Sequence, residues 1–171
     1  MQLRFEPFQV HEVEALARFL AASDWPFHHQ VSVDSSWVRG RIEAGHFFGS
    51  DARSFWVRGD HEQPLAFGRV FDLNDTTPLF DLRVDAAHRG CGVGTLALRG
   101  LTAWLFAEHP EATRLGGYTR VDNLAMQRVF EKCGFLKEAH HRRAWRVEGE
   151  GHETRLLDCV GYAILREEFE L

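Results

Sequence analysis

The residues with the clearest chemistry are an arginine and three glycines near the middle of the chain. Arg89 is followed by Gly90, Gly92 and Gly94, between an apolar run that ends at Val84 and a segment with helical periodicity. Glycine lets the backbone adopt positive φ and approach a ligand closely. The first N–H groups of a helix lack internal partners and, with the helix dipole, attract anions. The spacing therefore predicts a loop that binds phosphate or pyrophosphate.

Three kinds of phosphate loop, and an ordinary glycine-rich turn, are alternatives for this run. A P-loop needs Lys followed by Ser or Thr after its last glycine, whereas this chain has Thr95-Leu96. A dinucleotide-binding fold has G-x-G-x-x-G near its start and an acidic residue about 20 positions later. The run here lies mid-chain with alternate glycines. Its pattern, R-G-x-G-x-G after a strand, differs from both, which leaves a third kind of phosphate loop and the ordinary turn as alternatives.

Composition limits the class of protein. The chain has 171 residues, 44% of them apolar, so we expect one domain over 1–171 with a sizeable core. A net charge of −5 argues against a nucleic-acid partner. Three cysteines without a C-x-x-C pair favour reduced thiols and a cytoplasmic location. We expect no membrane partner, because neither a membrane-length apolar run nor a signal peptide is present.

The other patterns predict the elements that must position this loop. Apolar alternation and helical periodicity predict strands at 2–8, 54–58, 65–71, 79–84, 113–118, 136–147 and 154–165, and helices at 10–22, 32–44, 92–107 and 124–132. In the second helix, Val33, Trp37 and Ile42 are expected to be buried. Gly116-Gly117 indicates a bulge or a close backbone approach. The order predicts an α/β (or α+β) protein with a mixed sheet and helices on both faces.

The loop at residues 23–29 carries a second set of candidate side chains. Trp25, Phe27 and His28 are either a hydrophobic plug or one wall of a substrate pocket. Two adjacent histidines without partners at ligand spacing do not make a metal site, so no metal is expected.

Several stretches together resemble the GNAT acetyltransferase superfamily. Arg89 to Gly94 is similar to its pyrophosphate loop, and Asn123 to Phe135 resembles its Asn-initiated helix with a Gly-Phe ending. Asp158 to Glu168 resembles the last strand of the branch containing ribosomal-protein N-terminal acetyltransferases. The resemblance implies a mostly antiparallel sheet of about seven strands, splayed between the fourth and fifth.

The resemblance also implies acetyl-CoA as co-substrate. Pantetheine would enter between strands 79–84 and 113–118 and pair with the main chain of Leu82 and Val84. The residues implied to bind it are Leu82, Arg83, Val84, Arg89, Gly90, Cys91, Gly92, Val93, Gly94, Thr95, Asn123, Met126 and Phe130. Arg89 could instead be a solvated arginine and Asn123 a helix N-cap, while Cys91 is expected to be a small loop residue rather than a redox group.

The implied reaction is direct attack of a primary amine on the thioester in a ternary complex. By family analogy the N–H of Val84 stabilises the oxyanion. Candidate bases are Asp72, Asp81, His28 and His140. The family's tyrosine and serine acids correspond here to Phe130 and Met126, which cannot donate a proton. Tyr118 is the substitute unless it is a core tyrosine; otherwise water protonates the thiolate, or the thiolate leaves as the anion.

The acceptor stays open at the level of sequence. A protein N-terminus competes with a small-molecule amine, and a polyamine or aminoglycoside pocket could use Asp24, Asp72 and Asp75. The basic run 140–146 would suit an acidic acceptor or be only a solvated edge. A non-catalytic acyl-CoA sensor of the same fold is the alternative function. A homodimer is possible through the edge strand 136–147.

Overall fold

The computed structural model describes residues 3–29, 33–60, 63–148 and 154–170. Its strands are β1 Arg4–Pro7, β2 Ala52–Arg58, β3 Pro64–Phe71, β4 Leu79–Val84, β5 Arg114–Arg120, β6 Leu136–Glu148 and β7 Thr154–Leu165. Its α-helices are α1 Val13–Ala21, α2 Ser35–Glu43, α3 Val93–Glu108 and α4 Leu124–Lys132, with 3-10 turns at Val10–Glu12, Ala86–His88 and Arg166–Glu168. The predicted order of elements is confirmed. The predicted turn at 149–152 lies outside the described residues.

The seven strands that the structure describes form one mixed sheet, in the order β1-β2-β3-β4-β5-β7-β6. Every neighbouring pair is antiparallel except β4 and β5, which run parallel and share a single bridge, Leu79 with Gly116. Beyond that bridge the two strands separate, as the family resemblance implies. A Cβ on Gly117 would lie 2.6 Å from the Phe80 ring, so these glycines mark a close approach rather than a bulge.

Helices cover both faces of the sheet because each helix has one apolar face to bury. The fully buried Leu98, Leu101 and Leu105 pack α3 against β2 to β5, with α4 on the same face. The other face is covered by α1 and α2, where Leu16 and Val38 are fully buried. The site is therefore bounded by α3 and α4 on one side and by the loop after α1 on the other.

The second helix begins later than its periodicity predicts. The Asp34 side chain accepts a hydrogen bond from Trp37 N at 2.8 Å, which is the geometry of an N-cap. Val33 is buried but precedes the helix, and Val38 rather than Ile42 is the fully buried position. Side-chain capping by Asp34 therefore sets the start of α2, rather than the apolar spacing that predicts a start at residue 32. Similarly, the predicted helix 10–22 is a 3-10 turn followed by α1.

The edge strand β6 contains a bulge that matters for the site. Its register with β7 shifts between His141 and Trp145, and Arg143 has a positive φ of 54°. Asp158 on β7 holds the bulge: it accepts from Arg143 N at 2.8 Å and lies 2.7 Å from His140 Nε2. A bulge redirects the side chains that follow it. Here it changes the direction of Trp145.

Candidate active site

The main chain of β4 directs N–H and C=O groups into the gap beside β5, where Val84 O already accepts from Arg89 Nε at 3.0 Å. Asp85 N donates to Leu65 O at 2.9 Å, which fixes the hydrogen-bonded positions of the β3–β4 ladder. In an antiparallel ladder, alternate residues direct their N–H and C=O away from the partner strand. Leu82 and Val84 are those alternate residues, so their main-chain groups face the gap. An extended ligand can pair with them as an added strand.

The glycine loop adopts a conformation that ordinary residues avoid. Gly90 has φ 77° and Gly92 has φ 86°, and no atom lies within 4 Å of a Cβ built on either. Gly92 is the N-cap of α3, so the free N–H groups of that helix follow directly. At Gly94 a Cβ would lie 3.3 Å from Val129 Cγ2. The loop is thus open above Gly90 and Gly92 and closed against α4.

A cavity of about 370 Å³ runs from this loop into the gap. Its charged lining consists of Arg89, Arg128 and Lys132, without a carboxylate among the lining residues that the structure describes. Three cations around a helix N-terminus favour a polyanionic ligand such as a pyrophosphate. The sequence prediction misses Arg128 and Lys132. Their spacing of one turn on the helix opened by Asn123 is the signal that could have found them.

Most of the predicted cofactor-binding residues line this cavity. Those that line it are Leu82, Val84, Arg89, Gly90, Gly92, Gly94, Thr95, Asn123 and Met126. The other four predicted residues do not line it. Cys91 is exposed outside the cavity, Val93 and Phe130 are in the core, and Arg83 lies on the opposite face of the sheet next to Trp25. The alternation of β4 explains Arg83, because its neighbours Leu82 and Val84 occupy the cavity face.

Arg89 makes hydrogen bonds and a ring contact within the protein, which a solvated arginine would not. Its Nε donates to Val84 O at 3.0 Å and its Nη2 donates to Asp24 O at 2.8 Å. Its guanidinium also lies 5.4 Å from the centre of the Trp25 ring. These contacts tie the glycine loop to the loop at residues 23–29, while leaving the charge at the cavity wall.

The side chain of Asn123 caps the N-terminus of α4. Its Oδ1 accepts from Met126 N at 3.2 Å, and its Nδ2 donates to Thr119 Oγ1 at 2.9 Å. The N-cap alternative is therefore confirmed, and the same side chain lines the cavity.

A smaller cavity of about 60 Å³ adjoins the first. The two share Phe27, His28, Leu82, Asn123 and Met126, and we name this shared set the junction. The smaller cavity is further lined by Phe80, Asp81, Tyr118, Thr119, Phe130 and Trp145. A donor in the larger cavity and an acceptor in the smaller one would meet at the junction.

A histidine and a carboxylate meet beside the junction. His28 Nδ1 lies 3.3 Å from Asp81 Oδ1, and Arg83 Nε lies 3.7 Å from Asp81 Oδ2. Arg69 is the cross-strand partner of Asp81. Desolvation raises the pKa of Asp81, but the charges of His28, Arg83 and Arg69 together lower it far below its usual value. Asp81 is therefore an ionised carboxylate and a weak base.

The other predicted bases lie elsewhere. Asp72 follows the end of β3, where Phe71 pairs with Leu79 at the start of β4. Val84 is at the opposite end of β4, about 17 Å away at 3.3–3.4 Å per residue, so Asp72 does not share the site. The sequence predicts where the strands end, but not which end of β4 lies at the active site. His140 is on the exposed edge strand beside Asp158, and it lines neither cavity.

The two residues that the resemblance places at the positions of the family's acids both lie at the site. Phe130 is buried and stacked on Tyr162, with ring centroids 4.6 Å apart, and Met126 lines both cavities. Tyr118 is 51% exposed and lines the smaller cavity, so the alternative of a core tyrosine is wrong. Its phenol is a hydroxyl donor at that wall.

The loop at residues 23–29 is both plug and wall. Trp25 is buried, and its Nε1 donates to Leu20 O at 2.7 Å, which anchors the loop. His29 stacks on Trp145 with ring centroids 4.1 Å apart and planes 8° from parallel. This stack joins the loop to β6 across the smaller cavity. The sequence prediction misses Trp145, because only the bulge turns it inward.

Comparison with known proteins identifies the family. The Acetyltransferase (GNAT) family profile matches residues 16–135. The chain belongs to the GNAT acetyltransferase family. A curated GNAT relative, the uncharacterized N-acetyltransferase YobR of Bacillus subtilis, is 33% identical over 92 residues, which are 53% of this chain. The chain covers only 36% of the length of that relative.

Solved structures show the same GNAT fold over almost the whole chain. Spermidine N-acetyltransferase from Vibrio cholerae, in complex with CoA and spermine, has a TM-score of 0.80 at 16% identity. The match covers 98% of this chain and 97% of that one. Mycobacterium smegmatis RimJ, in complex with CoA-disulfide, has a TM-score of 0.77 at 20% identity, covering 99% of this chain and 84% of that one. At these identities the likeness shows the fold alone.

Membership of the GNAT acetyltransferase family points to acetyl-CoA as the co-substrate to test against the site. The residues present fit that co-substrate: open glycines, a helix N-terminus, three cations and the gap-facing main chain of Leu82 line one continuous space. Among the residues described, His, Cys, Asp and Glu form no cluster of three or more that could hold a metal ion. None of the described helices is long and apolar enough to cross a membrane.

Proposed function

We propose that this GNAT enzyme transfers the acetyl group of acetyl-CoA directly to a primary amine in a ternary complex. The observation that carries the proposal is the junction, where the cationic cavity and the smaller aromatic cavity share five lining residues. Two substrates bound in those cavities would meet without an enzyme-bound intermediate. Holding two reactants in this way can supply about 7 kcal/mol of the barrier.

The donor would be held by main-chain and cationic groups. The N–H groups that follow Gly92 would donate hydrogen bonds to the pyrophosphate, with Arg128 and Lys132 neutralising its charge. The main chain of Leu82 and Val84 would pair with the pantetheine amides. When bound, acetyl-CoA supplies the activated acetyl group, and the chain supplies its orientation.

The oxyanion donor is better assigned to Leu82 than to Val84. Leu82 lines both cavities, whereas Val84 lines only the larger one. The thioester carbonyl must lie where both substrates meet, so the N–H of Leu82 is the nearer donor. A main-chain donor fixed in a sheet needs no reorganisation when charge develops.

The charges around the smaller cavity favour an acceptor with one amine over a polyamine. Asp24, Asp72 and Asp75 line neither cavity. Asp81 does line the smaller cavity, but it is balanced by Arg83 and Arg69. A site for several ammonium groups would need carboxylates that are not already paired. We therefore propose an α-amine of a peptide or protein N-terminus, as in the ribosomal-protein branch that the last strand resembles.

An α-amine also demands less of the enzyme. Its ordinary pKa is near 8, whereas that of a lysine-like amine is near 10.4, so a larger share is neutral at pH 7. The free thiols of Cys91, Cys133 and Cys159 fit a reducing compartment, and we propose that the reaction takes place in the cytoplasm.

A thiol-release assay over an amine panel tests the proposal. Peptides with free N-termini should give turnover, the same peptides with blocked N-termini should give none, and spermidine should be a poor acceptor. Binding of CoA without turnover on any amine would contradict catalysis and favour the sensor alternative. Faster turnover of spermidine than of every peptide would contradict the proposed acceptor.

A further inference from the structure

The pair formed by His28 and Asp81 is placed to handle the proton of the acceptor. We propose that His28 is the general base that accepts this proton, and that Asp81 is the residue that positions it. The inference rests on the proposed function, because it needs an amine at the junction. It assigns one base among the candidates that the sequence leaves open.

The first support is the position of His28. Its ring belongs to the junction, so it faces the space where the amine and the thioester would meet. Its side chain is 22% exposed, which leaves it within reach of a substrate but packed on its other sides. Trp25 is one of those packing partners, with its ring edge-on to the imidazole at 6.1 Å.

The second support is the division of labour between the two ring nitrogens. Nδ1 faces the carboxylate of Asp81 at 3.3 Å. A carboxylate only accepts hydrogen bonds, so the neutral imidazole carries its proton on Nδ1 and its lone pair on Nε2. Among the described residues the side-chain polar contact of His28 is made through Nδ1, and its ring lines the junction. Nε2 is therefore the nitrogen that we assign to the substrate.

The third support is that the neighbouring candidates are unsuited to the role. Asp81 is held ionised by its cationic neighbours, so it has little tendency to take up a proton. His46 lies near the same charges, and burial followed by the charges of Arg69 and Arg41 lowers its pKa from 6.5 to about 4, but it lines neither cavity. Tyr118 brings a phenolic hydroxyl to the smaller cavity, which suits donation of a hydrogen bond to the leaving group.

The proposed step balances as follows. The acceptor ammonium gives one proton to Nε2 of His28, and the neutral nitrogen attacks the thioester carbon. A C–N bond forms and the C–S bond breaks. The second proton of the nitrogen passes to the sulfur, through solvent or Tyr118, and His28 releases its proton to solvent. Asp81 stays ionised throughout and stabilises the imidazolium.

A pH profile must take account of the charged and titratable groups near His28 among the described residues. Asp81 and Arg83 come from β4, Arg69 from β3, and Tyr118 from β5. Arg120 of β5 binds Pro26 O, and His29 follows His28 in the same loop. On β6 the facing residue is Trp145, which does not titrate.

The test compares this pair with a second histidine–carboxylate pair far from the site. His109 Nδ1 lies 3.2 Å from Glu111 Oε1 beyond the end of α3, so His109→Gln and Glu111→Gln are matched controls. His28→Gln should lower kcat by about 10²–10⁴-fold, the usual contribution of a general base. The loss should shrink as pH rises towards the pKa of the acceptor amine. Asp81→Asn should lower kcat by at least about tenfold, and both controls should leave it unchanged.

A measurement that does not depend on activity shows whether Asp81 positions the His28 ring or only stabilises the fold. Nitrogen NMR of the labelled imidazole should show the proton of His28 on Nδ1 in the wild type, and a mixture of tautomers in Asp81→Asn. The melting temperature and acetyl-CoA affinity of each variant show whether it is folded. If the wild type turns over peptides and folded His28→Gln keeps more than half of kcat at pH 7, the base assignment is wrong while the proposed function stands. No turnover by the wild type on any amine would overturn both.

Discussion

Replacing Gly92 by valine should abolish acetyl-CoA binding while leaving the protein folded. Gly92 has φ 86°, and a residue with a Cβ pays about 1–2 kcal/mol in that conformation. An added Cβ meets no atom within 4 Å, so we expect backbone strain to be the main cost to the free protein. For a chain of this length the melting temperature should fall by about 2–8 °C. The valine would, however, occupy the open space that we assign to the pyrophosphate.

Gly45→Val is the matched control for this prediction. Gly45 has a similar φ of 70°, its Cβ would meet only Phe48 O at 3.8 Å, and it lines neither cavity. Both variants should lose similar stability without ligand. Thermal unfolding with acetyl-CoA at 100 times its wild-type Kd should stabilise wild type and Gly45→Val by about 2.7 kcal/mol, and Gly92→Val hardly at all. Full ligand stabilisation of Gly92→Val would refute the assignment of the glycine loop.

Three further predictions concern the cations, the aromatic wall and acid stability. The double variant Arg128→Ala with Lys132→Ala should weaken CoA binding at least about tenfold and reduce the salt dependence of that binding in a titration. The control Arg39→Ala, at an exposed site on α2, should change neither. Unchanged affinity in the double variant would show that the two residues do not belong to the phosphate site. Trp145→Ala should raise KM for the peptide several-fold and leave acetyl-CoA affinity unaltered, because the stack of Trp145 on His29 closes only the smaller cavity. Equal effects on both substrates would contradict the assignment of the smaller cavity to the acceptor. His46 binds its proton less readily in the folded state, with a pKa of about 4 against 6.5, so the unfolded state takes up more protons between these values and stability falls as pH drops from 6.5 to 4. His46→Gln should reduce that slope in thermal unfolding, and an unchanged slope would show that other groups cause it.

Local patterns predict the elements and the glycine loop because each depends on a few consecutive residues. Alternating glycines after Arg89 require a turn of positive φ, and Val84 ends an apolar strand, so the loop and its helix follow from the sequence. The separation of β4 from β5 follows from the resemblance rather than from these patterns. The structure then shows it as the single bridge at Leu79.

The parts that sequence could not predict depend on register and on contacts between distant elements. Asp72 has suitable chemistry but lies at the wrong end of β4, which only the pairing of Phe71 with Leu79 reveals. Asp81 and His28 are both candidates in the sequence, but their pairing requires the loop after α1 to lie over the sheet. Trp145 enters the site through a bulge that Asp158 holds in place. No local sequence pattern predicts these contacts.

The mechanism of transfer provides the most direct test of the central claim. Initial rates measured while acetyl-CoA and an N-terminal peptide are both varied should give intersecting double-reciprocal lines, as a ternary complex requires. Mass spectrometry of the enzyme incubated with acetyl-CoA alone should show no acetylated residue, including at the exposed Cys91. Parallel lines together with an acetylated enzyme that passes its acetyl group to the peptide would contradict direct transfer at the junction.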